Sequence, residues 1–175
     1  PMFRYQFDVV DSFLEARHSR LKPFYVILPQ NNKPRDPLFA SYLANPANAA
    51  LIKPAVAGVA GDSSLLINLG SSGAGACKPG DFFNIADADD INHTKAYKVT
   101  RVESMGDRQL GVTPIPTASQ RRIHFVPPLV KDTPVTATVV FINPMFRVMQ
   151  KTDVLEYQLN TDNLYQFELQ LEEIL

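Results

Sequence analysis

Cysteine is nearly absent from this chain: Cys77 stands alone among 175 residues. One thiol excludes an internal disulfide framework and a cysteine zinc cluster, and it fits synthesis in a reducing compartment. An excess of charge of either sign is missing too, the formal net charge being −1. Nucleic-acid binding leaves a basic footprint, so no nucleic-acid partner is expected. No apolar run approaches the roughly 18–20 residues needed to cross a bilayer. The opening residues Pro1-Met2-Phe3-Arg4 lack the apolar centre of a signal peptide. The expectation is a soluble protein with no membrane partner. Hydrophobic residues at 45% suffice for a core. Proline is plentiful, at fourteen residues, which favours short strands, edges and loops over long helices.

The stretch from Lys78 to Ile115 organises the rest. Lys78-Pro79-Gly80-Asp81 sets a tight turn, because Pro fixes φ and Gly tolerates positive φ. Three β-prone runs come next: Phe82–Ile85, Lys95–Val102 and Gln109–Pro114. Separated by polar punctuation, they predict an antiparallel meander in a small barrel or sandwich. Tyr97 and Val99 share one face of the middle strand, and Lys98 and Thr100 share the other.

Before the meander, Phe7, Val10 and Leu14 recur on one face of a predicted helix over Tyr5–Arg20, stopped by Pro23. Phe24–Leu28 is a strand. Asp36-Pro37 is an N-cap and first-turn proline for about two helical turns over Leu38–Ala44. Ala47–Gly61 reads as extended backbone, Ser64–Leu69 as a strand and Gly70–Gly75 as a flexible turn. After the meander, Pro116–Lys131 reads as a loop with one short element. Val135–Phe141 and Met145–Met149 are strands. Val154–Leu159 and Tyr165–Leu171 form a hairpin, with Tyr165, Phe167, Leu169 and Leu171 alternating with polar residues. The order of elements predicts a mainly β chain in two domains. Residues 1–51 and 134–175 would form an outer domain interrupted by an inserted β domain over 52–133.

Asp87, Asp89, Asp90 and His93 are the candidates for a cation site, since clustered carboxylates suit a hard metal. The glycine and closing glutamate of an EF-hand are missing, and a solvated loop explains the acids equally well. Gly70–Lys78 lacks the Gly-Lys-Ser/Thr core of a phosphate loop. Cys77 reads as a small buried hydrophobe rather than a partner for His93 or His124. His18 suits a helix end. Arg121-Arg122 beside Phe125 could stack on nucleic acid, but the neutral net charge favours pairing with a neighbour's carboxylates. No nucleophile–base set or cofactor fingerprint emerges, so neither an enzyme nor a cofactor is expected.

Charge is uneven along the chain. Pro1–Lys53 carries seven basic and four acidic residues, and Met145–Leu175 two basic and six acidic. Arg17, Arg20, Glu172 and Glu173 are the candidates for a basic-to-acidic seam between copies. Attraction within the fold, or two solvated faces that differ, explains the imbalance equally well.

In the same order along the chain, Phe13-Leu14-Glu15-Ala16-Arg17, Leu28-Pro29-Gln30, Lys78-Pro79-Gly80-Asp81-Phe82, Lys95-Ala96-Tyr97-Lys98-Val99-Thr100 and Met145-Phe146-Arg147 resemble the distal tail proteins of long-tailed siphophages. The resemblance spans nearly the whole chain. It implies a tail-tube-like β-sandwich with one helix and an inserted OB-like barrel. It also implies a hexameric ring in the virion, made in the host cytoplasm, that joins the tail tube protein to the baseplate hub or tip. Such proteins carry several strands before the helix. Their absence here implies either a missing N-terminal segment or completion by a neighbour. The alternative reading is an OB-type module that binds carbohydrate or nucleic acid through Phe82, Phe83 and Tyr97. A metal-dependent hydrolase using the acidic loop is a third.

Overall fold

The computed structural model opens on a helix and is mainly strand from residue 53 onward, with two short helices between. It describes residues 2–17, 21–90, 93–107, 113–151, 157–159 and 164–174. In chain order come helix α1 (Arg4–Ala16), strand β1 (Phe24–Ile27), a 3₁₀ turn (Pro29–Asn31), helices α2 (Pro37–Leu43) and α3 (Pro46–Ala49), and strands β2 (Lys53–Pro54) and β3 (Ser64–Asn68). Strands β4 (Phe82–Ala86), β5 (Tyr97–Glu103), β6 (Gln120–Val126), β7 (Thr138–Val140), β8 (Met145–Gln150), β9 (Tyr157–Leu159), β10 (Tyr165–Phe167) and β11 (Leu171–Glu173) complete it. The chain is mainly β. Among the described residues no helix is long and apolar enough to cross a membrane.

The chain divides into two compact units, Ile27–Met145 and a discontinuous one of Pro1–Val26 with Phe146–Leu175. In the first, six strands run in the order β2-β3-β6-β5-β4-β7. Each neighbouring pair is antiparallel. The Val139 N–H donates to Ile52 O at 2.8 Å, so β7 reaches the segment leading into β2 and nearly closes the sheet into a barrel. The core is aromatic. Phe83 lies 5.3 Å, centroid to centroid, from Tyr97 and from Phe125, and 5.4 Å from Phe141. Phe39 and Leu43 of α2 and Val139 and Phe141 near the far end belong to the same buried cluster, and the unit accordingly spans Ile27–Met145. The Asp36 carboxylate caps α2 by accepting from the Leu38 and Phe39 N–H groups. The Phe39 bond above all holds its pKa below the ordinary carboxylate value.

Strand β5 keeps its alternation only to Val99. Val99 pairs with Phe125 but Arg101 with His124, so Thr100 is an extra residue in a β-bulge. The bulge reverses the parity of the last three residues of the strand: Val102 packs against the core, while Arg101 and Glu103 share the opposite face. The third meander strand cannot be placed, because 109–112 lie outside the described residues. The neighbour of β5 is instead β6, seven residues long, in a segment expected to be mostly loop. Its inward residues Ile123 and Phe125 alternate as a strand requires.

In the other unit, α1 starts soon after Met2, and the Gln6 side chain accepts from the Phe3 N–H at 3.0 Å. Phe7 and Leu14 are buried, with Phe7 stacked on Tyr165 at 4.5 Å. Leu14, Phe24 and Val148 form the central cluster. The sheet is three-stranded, β1-β8-β11, beside the β9–β10 hairpin. The expected long second arm of that hairpin is in fact two strands: β10 pairs with β9, and β11 with β8. Leu171 is accordingly 36% exposed instead of lying in a core.

Candidate functional site

The acidic loop after β4 does not gather around a common centre. The Asp87 carboxylate accepts from the Asp89 N–H at 3.0 Å, a local turn bond. Asp90 lies 2.6 Å from Lys131 Nζ, so the chain's own cation offsets its charge. His93 is buried and shares a 3.0 Å hydrogen bond between Nε2 and Tyr97 Oη. Tyr97 Oη also accepts from the Val130 N–H. Among the described residues no three His, Cys, Asp or Glu side chains are arranged to hold a metal ion.

Burial is the main influence on His93 and lowers its pKa from 6.5. Lys131 pushes in the same direction, and Asp90 and Asp87 oppose it. The unfolded chain therefore binds this proton first as pH falls. Its contribution to stability is present above about pH 6.5 and is lost below that value, until the folded histidine also protonates. Urea unfolding at pH 7.5 and pH 5.5 is expected to show a loss of stability that His93→Gln reduces. An equal loss in the variant would place the effect elsewhere.

The Lys78-Pro79-Gly80-Asp81 motif is a latch between distant segments. Gly80 has φ +98°, as the turn demands. Asp81 is 4% exposed; its Oδ1 accepts from the Arg35 N–H at 3.0 Å and its Oδ2 from the Lys78 N–H at 2.7 Å. Burial raises the Asp81 pKa against the pull of those two bonds. Arg35 Nη1 donates to Pro79 O, and Lys78 Nζ lies 3.4 Å from Asp36. Cys77, just before the latch, is buried, and burial pushes its thiol pKa up, away from nucleophilic chemistry.

The bulge in β5 creates a cluster that the sequence did not advertise. Glu103 is 2% exposed; its Oε1 stands 2.6 Å from His124 Nε2 and 3.3 Å from Arg101 Nη2. Arg122 Nε is 4.0 Å from Oε2, and Arg122 Nη2 donates to Pro114 O at 2.6 Å. Register alone brings these residues together, with Arg101 opposite His124 and Glu103 opposite Arg122. Recognising them from sequence required knowing that Thr100 is unpaired. The Arg121-Arg122 pair is thus engaged within its own chain. Arg121 Nη1 donates to the carbonyls of Ala118 and Gln120, and Arg122 is 6% exposed.

Of the aromatic candidates, Phe83 and Tyr97 are fully buried, while Phe82 is half-buried with Lys98 Nζ 5.8 Å from its ring centroid. Among the seam candidates, Arg17 lies over the Phe13 ring at 4.9 Å, Glu172 is exposed and Glu173 half-buried. Arg20 and His18 lie outside the described residues. Compared with protein-family models and with curated protein sequences, the chain matches none.

Proposed function

We propose that this chain is a structural subunit of a phage tail that assembles with copies of itself into a ring, joining the tail tube to the baseplate hub or tip. The observation that carries the reading is the imbalance within the discontinuous unit. Among the described residues its central cluster has three buried members, Leu14, Phe24 and Val148, with Phe7 buried against Tyr165. Yet Phe3, Tyr5, Val9, Leu21 and Tyr25 are between 52% and 79% exposed. Small units without disulfides or metals need further burial to be stable, and large apolar surface in water marks an interaction site.

Tyr5, Val9 and Phe13 recur every four residues, so they form one stripe along α1, apart from the buried Phe7 and Leu14. In the three-stranded sheet, β1 and β11 are the outer strands. An outer strand offers backbone groups to a neighbour, and a β1-to-β11 contact repeated head to tail is heterologous and can close a ring. The basic first segment and the acidic last one supply attraction of the right sign for that contact. An architectural role also accounts for the internal pairing of Asp90, Arg122 and Glu103, which leaves those charges to hold the barrel together.

Size-exclusion chromatography with light scattering tests the reading. The chain is expected to run as a multiple of its 19.5 kDa mass, with six copies in the closed ring. The double substitution Tyr5→Ser, Val9→Ser is expected to dissociate it. Solvent-exposed changes of this kind shift folding stability by only about 0.5 kcal/mol, so thermal unfolding of the dissociated chain serves as the control. A monomer at high concentration would overturn the proposal.

A further inference from the structure

A cavity of about 260 Å³ opens in the barrel unit, lined by Gln30, Asn31, Lys33, Arg35, Asp81 and Phe82. It lies just below the roughly 300 Å³ at which drug-sized sites begin, so it suits a ligand of a few functional groups. The lining is rich in donors: two cations, two amides and a single acid. Neither Lys33 nor Arg35 is held in an ion pair among the described residues. The Arg35 guanidinium lies across the turn, 3.1 Å from where a Cβ at Gly80 would stand.

The acid narrows the ligand class. Each Asp81 oxygen already accepts one backbone N–H and has one further acceptor position. An oxyanion without hydroxyls would leave Asp81 with no donor to accept from. An ammonium would set its charge against Lys33 and Arg35. A hydroxyl needs one acceptor. We propose that this cavity binds a small polyhydroxylated carboxylate. Lys33 and Arg35 take the carboxylate, Gln30, Asn31 and Asp81 take hydroxyls, and the half-buried Phe82 packs against the carbon skeleton. A charged group held by two cations and hydroxyls held by amides make this a specificity site rather than a general anion trap.

Titration of the whole chain with D-glucuronate, read by calorimetry and saturation-transfer NMR, tests it. Saturable glucuronate binding is expected, with D-glucose at least about tenfold weaker for the loss of a charge-assisted contact. Inorganic phosphate and glycine are expected to be weaker by about the same factor, because they lack the hydroxyls that Gln30, Asn31 and Asp81 take. Lys33→Gln and Arg35→Gln are each expected to weaken glucuronate about tenfold, again through the loss of a charge-assisted contact. Lys33 is exposed and Arg35→Gln keeps the backbone N–H that Asp81 needs, so the fold is retained, as circular dichroism would verify. Absence of saturable glucuronate binding overturns the proposal. So does equal binding of glucose, phosphate or glycine, or unchanged affinity in both variants. Glucuronate binding is read on the chain in whatever oligomeric state it adopts, so its failure would leave the ring proposal standing.

Discussion

Replacing Glu103 by glutamine is expected to destabilise the barrel unit by about 3–5 kcal/mol, the range seen when one member of a buried ion pair is removed. The cost comes from the partner left behind. Arg122 is 6% exposed, and its guanidinium faces Glu103 on one side and the Pro114 carbonyl on the other. Glutamine has nearly the same volume, so packing is kept and only the charge disappears, leaving the guanidinium buried without a counter-ion. Arg101→Gln is the matched control. Its side chain is 55% exposed although it approaches the same carboxylate, and a solvent-screened pair contributes about 0–1 kcal/mol. Chemical denaturation of the three proteins decides the matter. A similar loss for both variants would mean that burial is not the source of the effect.

Asp81→Ala is expected to cost about 2–6 kcal/mol, because it strands the Arg35 and Lys78 N–H groups, each worth about 1–3 kcal/mol when buried and unsatisfied. That burial disfavours the ionised carboxyl does not conflict with this expectation. The charge is uncomfortable where it sits, yet the two acceptors are indispensable. Asp81→Asn should fall between wild type and alanine, keeping one acceptor oxygen and turning an NH₂ group toward the second backbone N–H. Urea midpoints in that order support the latch. An alanine variant as stable as wild type would show that solvent satisfies both N–H groups.

Where local chemistry decides a conformation, the sequence was readable. Asp36-Pro37 starts α2, Pro79-Gly80 makes its turn, and Tyr97 and Val99 point inward as their spacing requires. Where a long-range partner decides, it was not. Strand β6 looked like a loop because prolines crowd it on both sides, while its seven residues are held by pairing with both β3 and β5. The Glu103 cluster depends on one unpaired residue, Thr100, which composition does not reveal. The polar cavity joins residues some fifty positions apart, Gln30 to Arg35 with Gly80 to Phe82, and the latch ties the two segments together. The alternating run from Tyr165 to Leu171 misled in the opposite direction. A perfect period of two fits one long strand, but the ladder passes from β9 to β8 partway along it.

The ring of strands is fastened unevenly. Strand β6 is laced to its neighbours along its whole length, whereas β7 holds β4 over three residues and meets the opposite margin through the bond from Val139 to Ile52. Cooperative structures loosen first where fewest bonds must break together. The clasp between β7 and β2 is therefore where this hoop springs open before the rest gives way.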